Sequence, residues 1–361
     1  MSGLITTFKE ATALQCSFLE KLLDMDMGQV ASFSSSLVDF LRPSSENKFV
    51  YGIAAGRSAL ALYSFLQGET QAVNKYIDDI ITLGGEIMLI TANKKGTAYK
   101  MVKDYHKGSV LVIEARTKQS TDKDTRSRLS PMGTEFELQV LAFLNALAPD
   151  IQSRLKGLCD PACPSYQSTI RDFEDNARLI SEMDPDHLDH WFGRLFPRSG
   201  RYIIGGVGRS GLVARAFEMR FTHLNKISYW ERDFNTPSFQ IGDVYIPMTG
   251  IGNTYEAMEG TLTALSKGAD VMPITANPSS RLVQVLKKQG REKDIAVIPV
   301  MEQYKSLFSG DTSSTTWLMS DYTKFRYPIF EINASIFTNS VVAVGAEFLG
   351  IVEAGMRRMH V

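Results

Sequence analysis

Two short stretches hold the residue types that grip an anion. In "GGVGRSG" (Gly205 to Gly211), a small-residue turn joins an apolar strand to a helix, and the backbone N–H groups of Gly208, Arg209, Ser210 and Gly211 can face one ligand. The helix N-terminus adds its partial positive charge. In "MTGIGNTYE" (Met248 to Glu256), the strand "DVYIPM" again leads through a turn into a helix. Thr249 and Thr254 offer hydroxyls there, and Gly250 and Gly252 let the backbone approach a ligand closely. Taken singly, either turn reads equally well as a helix start capped by Ser210, or by Asn253 or Thr254. Two of them at neighbouring strand ends would converge on one crevice, where open α/β sheets take their ligands, and phosphate suits such a pair.

A second chemistry competes for the first turn. Gly206, Gly208 and Gly211 fit the dinucleotide pattern G-x-G-x-x-G, and Glu231 closes the next strand, "KISYWE", where a ribose-binding acid would stand. Arg209 is bulky for that turn, and the fingerprint leaves the second turn unexplained.

The elements that must position these turns occur twice. "KFVYGIAAGRSALAL" (Lys48 to Leu62) parallels "RYIIGGVGRSGLVAR" (Arg201 to Arg215), and "GEIMLITANKKGTAYKMV" (Gly85 to Val102) parallels "ADVMPITANPSSRLVQVL" (Ala269 to Leu286). "SVLVIEA" (Ser109 to Ala115) parallels "DIAVIPV" (Asp294 to Val300), and the tails from Pro131 and Ile332 align as long apolar helices. From Gly56 to Thr91 is 35 residues, against 67 from Gly208 to Thr275, so the first copy lacks 32 residues, among them the second turn. Short apolar strands alternating with helices imply parallel sheets covered on both faces. The expected organisation is a trimmed copy over 1–150, a linker over 151–169 that includes "CDPACP", and a full copy over 170–361.

Composition narrows the function classes. Over 361 residues, 39 basic side chains offset 40 acidic ones, and the net charge of -1 gives no global pull toward nucleic acid or an anionic membrane. An anion site has to be local. Cys16, Cys159 and Cys163 are too few for a disulfide framework, and Cys159-x3-Cys163 has no Cys/His pair to complete a metal site. The first ten residues lack the pattern of a signal peptide, and Glu347 interrupts the longest apolar run, so the expectation is a cytosolic protein that crosses no membrane. "SGDTSSTTW" (Ser309 to Trp317) reads as a loop.

Together these stretches resemble a known family. "GVGRSGLVARAFEMRFTHLN", "NTPSFQIGDVYIPMTGIGNTYE" and, in the first copy, "SPMGTEFELQVLAFLNAL" are similar to the phosphate turns and terminal element of 6-phospho-3-hexuloisomerases of the sugar-isomerase (SIS) type. The resemblance implies two SIS-type domains, each a doubly wound parallel sheet of flavodoxin or Rossmann-like three-layer αβα form. It implies a phosphosugar isomerase that moves a carbonyl through a cis-enediol, best matched to 3-hexulose 6-phosphate and fructose 6-phosphate, without metal or nucleotide cofactor. The implied partners are a phosphosugar and further copies of the chain, as a homodimer.

The same resemblance nominates Glu137, in the Pro-x-Gly-Thr-x-Phe-Glu pattern, as the base, because a carboxylate in a dry pocket can exchange a carbon-bound proton. Glu135 reads as a solvated neighbour. His223 shares a helical face with Leu212, Ala216 and Met219 and matches the family's histidine, so it is the candidate proton shuttle. Aligning the tails sets Thr338 where the first copy has Glu137, as though each copy kept what the other lost and one composite site drew on both. A sugar-phosphate sensor without catalysis and an NAD-dependent oxidoreductase are the alternatives.

Overall fold

The structure, a computed structural model, describes residues 2–41, 73–116, 128–130, 134–157, 165–309 and 328–358. The first Gly-Arg-Ser turn, Cys159, Cys163, Pro131 and most of "SGDTSSTTW" lie outside the described residues.

The chain forms two compact units, one of Met1–Cys16, Asp122–Met132 and Asp175–Val361, the other of Ser17–Thr121 and Gly133–Glu174. These limits differ from the expected break over 151–169. Helix α1 (Ser2–Leu23) divides between the units, and helix α5 (Thr134–Leu155) and helix α6 (Tyr166–Arg178) run into both ends of the expected linker. Packing explains the N-terminal part. The Phe8 ring lies 5.6 Å from Phe192 in α7 (Pro185–Leu195) and 5.7 Å from Phe337 in α12 (Ile329–Phe348), while Thr12 and Gln15 hydrogen-bond Ser340 at 3.0 and 2.9 Å. Fully buried Phe8 thus commits the start of α1 to the C-terminal unit.

In the other unit, α2 (Met27–Leu41) and α3 (Val73–Thr82) precede β1 (Ile87–Thr91), α4 (Thr97–Asp104) and β2 (Gly108–Val112). The two strands are parallel, Ile87 facing Gly108, with α4 as the crossover and Ile77, Ile87 and Val102 as a small core.

The C-terminal unit holds the fuller sheet. Its elements are β3 (Tyr202–Gly206), α8 (Gly208–His223), β4 (Ser228–Trp230), β5 (Val244–Met248), α9 (Tyr255–Ser266), β6 (Asp270–Val271), β7 (Ile274–Thr275), α10 (Arg281–Lys287), β8 (Ala296–Val297), α11 (Glu302–Lys305), α12 and α13 (Glu353–Arg358). All pairings are parallel, in the order β4-β3-β5-β7-β8 with β6 beside β5. Strand alternation sends Tyr202 to α8, where its ring lies 4.8 Å from Phe221, and Ile203 to the opposite face, with Ala257, Met258, Leu282 and Leu286 of α9 and α10. Both faces are therefore covered, as the unbroken apolar strands require. Helix α12 is long and apolar enough to span a membrane, but 83% of that stretch is buried inside the protein, where it packs on α8 as a core helix.

At the N-terminal ends of these strands, Arg291 pairs with Asp270 at 2.7 Å and Asp294 at 2.8 Å, and Arg194 with Asp270 at 3.0 Å. Burial alone would raise the Asp294 carboxyl; Arg291, Arg194 and His190 outweigh it and hold it below its ordinary value.

Candidate active site

The strand order decides where a ligand can go. Taken in chain order, the main strands run 2-1-3-4-5, the flavodoxin-like winding, so the connection reverses direction between β3 and β5. The two strands are in register, Gly206 beside Met248, and each is followed at its C-terminal end by one of the two glycine-rich turns. The turns therefore share one edge of the sheet at its switch point.

The first turn is shaped by its glycines. Val207 is extended and occupies the N-cap position of α8, whose N-terminus has no side-chain cap. Gly208 follows with φ +58°, a left-handed conformation that a side chain would strain. A Cβ on Gly206 would lie 2.9 Å from the Met248 carbonyl oxygen, so only glycine lets β3 run this close to the neighbouring turn. Ser210 does not cap the helix; its Oγ donates to Glu331 Oε1 at 3.0 Å. Arg209 is half-buried beside it.

The second turn is knitted more tightly. Thr249 Oγ1 and Thr254 Oγ1 lie 2.9 Å apart, and the Gly252 N–H donates to Thr249 Oγ1 at 3.2 Å. Gly252 has φ +65°, and a Cβ there would overlap Ser280. Thr254 is the N-cap residue of α9, yet its side chain caps nothing, and the first turn of that helix keeps its N–H groups. Asn253 turns away from α9: its Oδ1 accepts from Arg281 N at 2.8 Å at the start of α10. Gly250 O accepts from Ala276 N and from Thr275 Oγ1, and Ile251 O from Asn277 Nδ2, which ties the turn to the Thr-Ala-Asn loop after β7. The readings of Ser210, Asn253 and Thr254 as simple caps of α8 and α9 do not hold. What remains is a cluster of backbone and hydroxyl donors at two adjacent helix N-termini, which can hold an oxyanion.

The Thr-Ala-Asn loop repeats down to its hydrogen bonds. Asn277 N donates to Thr275 Oγ1 and Ser279 N to Asn277 Oδ1; in the other unit Asn93 N donates to Thr91 Oγ1 and Lys95 N to Asn93 Oδ1.

Other expectations need correction. His223 closes the helix that Ser210 opens, and thirteen rises of ~1.5 Å put about 20 Å between them along α8. The unit does not bring His223 to its turns; the residue is buried at the far end of the helix. Glu137 lies in the first turn of α5, in the other unit. Glu135, expected to be solvated, is 1% exposed, ion-paired with Lys21, and accepts from Arg116 N at 3.2 Å. Thr338 is buried in mid-helix and donates to Ala334 O at 2.7 Å. Aligning Ile332 with Pro131 puts the helix starts out of register, because α12 begins at Ile329 and α5 at Thr134. Both helices carry acids in their first turns, Glu135 and Glu137 in α5 and Glu331 in α12. Glu331 escaped the sequence reading for that reason, though a glutamate three residues after Pro328 was a signal for it.

Glu231 does not stand as a ribose ligand would. Its carboxylate accepts from the Tyr245 hydroxyl at 2.8 Å and packs over Gly205, and burial raises its pKa, while burial and Glu231 push the Tyr245 phenol well above its ordinary value. The switch after the first two strands also departs from the classic 3-2-1-4-5-6 dinucleotide order.

The fold is that of the SIS-type phosphosugar isomerases, and the chain belongs to that family. It is 31% identical over 166 residues to the 3-hexulose-6-phosphate isomerase of Methylomonas aminofaciens, spanning 82% of that protein and 46% of this chain. An uncharacterized protein of Aeropyrum pernix is 32% identical over 84% of its length and 50% of this chain. Among solved structures, tagatose-6-phosphate ketose/aldose isomerase from Escherichia coli superposes with a TM-score of 0.58 at 14% identity, covering 94% of this chain and 92% of that one. No protein-family model matches the chain.

Proposed function

We propose that this chain interconverts 3-hexulose 6-phosphate and fructose 6-phosphate through a cis-enediol. The observation that carries the reading is the pair of uncapped turns at the switch point, with Thr249 and Thr254 turned toward each other instead of toward a helix backbone. The second turn, with two hydroxyls and the start of α9, is the richer donor set and takes the phosphate; the first turn, with Ser210, then faces the sugar carbons. A phosphate held there spends binding energy on fixing the reacting carbons, which lowers the barrier to proton transfer. The reaction moves one proton between neighbouring carbons and needs neither metal nor nucleotide. Two SIS-type copies in one chain, a cytosolic location and self-association belong to the same proposal.

The test is proton NMR of fructose 6-phosphate in deuterium oxide with the full chain. Deuterium entering C3 is expected, because enediol formation between C2 and C3 removes that proton; entry at C1 alone would point to aldose formation instead. Absence of exchange with a raised melting temperature would make the chain a sugar-phosphate-binding module. Absence of both would remove the phosphosugar reading.

A further inference from the structure

We propose that Asn277 is a positioning residue for phosphate: its side-chain amide sets the backbone of the second turn so that the N–H groups of that turn face the anion. The assignment rests on the phosphosugar reading above. Three consecutive carbonyls of the turn are held by the segment that follows β7. Gly250 O accepts from Thr275 Oγ1 at 3.2 Å and from Ala276 N at 3.1 Å, Ile251 O from Asn277 Nδ2 at 3.0 Å, and Gly252 O from Leu282 N at 3.3 Å. In a trans peptide the N–H points away from its carbonyl, so the N–H groups of Ile251, Gly252 and Asn253 are turned to the side opposite that segment. The Gly252 N–H donates there to Thr249 Oγ1 at 3.2 Å, one of the two hydroxyls assigned to the phosphate. Successive N–H groups through a left-handed residue, here Gly252 with φ +65°, form an anion-binding concavity.

The Thr-Ala-Asn loop does not need that bond for its own shape. The other unit carries the same loop in a sequence without the second turn, and Thr91 and Asn93 make the same two local bonds there. Asn93 is exposed, whereas Asn277 is 4% exposed. Asn277 Oδ1 is engaged by Ser279 N at 3.0 Å, as Asn93 Oδ1 is by Lys95 N, which leaves Nδ2 for a partner outside the loop. Burying an amide is unfavourable unless its donors are paired, and Ile251 O supplies the partner. Thr275, fully buried, supports the arrangement: its Oγ1 accepts from Asn277 N at 3.2 Å and donates to Gly250 O. Both side chains therefore act on phosphate through the turn. A tie that only stabilised the fold would change the melting temperature and leave affinity alone, and the two roles separate on that ground.

The test is the affinity of the full chain for fructose 6-phosphate and for inorganic phosphate by titration calorimetry, beside the melting temperature without ligand. Asn277→Ser keeps a short acceptor for the local turn but cannot reach Ile251 O. It should weaken both ligands by about 3–10-fold, the loss of one hydrogen bond expressed as affinity. Asn93→Ser removes the same amide from the other unit and should leave both affinities unchanged. Thr275→Val loses the hydroxyl at nearly constant shape and should weaken both ligands by about 3-fold or more, while Thr275→Ser should restore them. Wild-type affinity in Asn277→Ser, an equal loss in Asn93→Ser, or a loss for fructose 6-phosphate alone would overturn the assignment. Should Asn277→Ser fail to fold, the Thr275 pair decides: full affinity in Thr275→Val, or no recovery in Thr275→Ser, overturns it. If the wild type binds fructose 6-phosphate and the variants bind it equally, the assignment fails while phosphosugar binding stands; if the wild type binds neither ligand, both fail.

Discussion

A carboxylate's surroundings, more than its place in a motif, set what it can do here. Glu231 stands where a dinucleotide fingerprint wants a ribose ligand, but it is folded over Gly205 and tied to Tyr245. Its pKa is raised chiefly by burial, so its ionisation costs stability at neutral pH, and that cost vanishes as pH falls through the raised value toward that of the unfolded chain. Glu231→Gln keeps an acceptor for Tyr245 and stays neutral. It should raise the melting temperature by about 3 °C at pH 7.5, with the gain shrinking toward pH 4. A gain that is the same at both pH values would show that ionisation is not the cause. The residues around the turns were legible by type: glycines, threonines and a serine in that spacing announce an anion site. The fates of the acids were not, because hydrogen bonds and burial depend on what folds over them.

Helices α8 and α12 show how elements set the site's geometry. The first opens at Ser210 and the second at Glu331, and they pack against each other. Gly345 in α12 permits close packing, since a Cβ there would meet the Phe196 ring at 2.6 Å and Leu224 at 2.8 Å, both side chains buried. Alanine is about 1 kcal/mol the better helix former, whereas overpacking a rigid core costs about 1–3 kcal/mol. Packing should win. Gly345→Ala is expected to destabilise by about 1–2 kcal/mol net in urea unfolding, and to weaken fructose 6-phosphate binding by shifting the start of α12. A stabilised variant would mean that the Phe196 ring gives way. The helices themselves were readable from apolar periodicity, but the start of α12 was not, and that error set Thr338 opposite Glu137 although Glu331 is the first-turn acid of α12.

At the scale of the whole molecule, the two units are unequal. The C-terminal unit has both turns, a switch point and a first-turn acid; the described strands of the other unit are the parallel pair β1 and β2. A ligand held by the turns stabilises the unit that binds it, by about 2.7 kcal/mol at 100 times Kd. Hydrogen exchange with fructose 6-phosphate present should therefore show new protection over 204–211, 248–256 and 329–333, and none over 87–112. Protection confined to the second set would place the ligand elsewhere. The assignment of Met1–Cys16 to the C-terminal unit was hidden in the sequence, because Phe8 as a letter says only that it will be buried, not beside Phe192 and Phe337.

The sequence by itself determined the strand–turn–helix repeats, the parallel sheets, the absence of a global charge signal and the two turns that could take a phosphate. Those properties are local or compositional: they follow from glycine's freedom at positive φ, from helix N-termini and from unbroken apolar strands. Tertiary structure alone decided that the turns flank the switch point, that Thr254 and Ser210 do not cap their helices, that His223 lies a helix length away and that Glu331 meets Ser210. Those are relations between residues far apart in the chain, settled by the winding of the sheet and by which side chains share a buried contact.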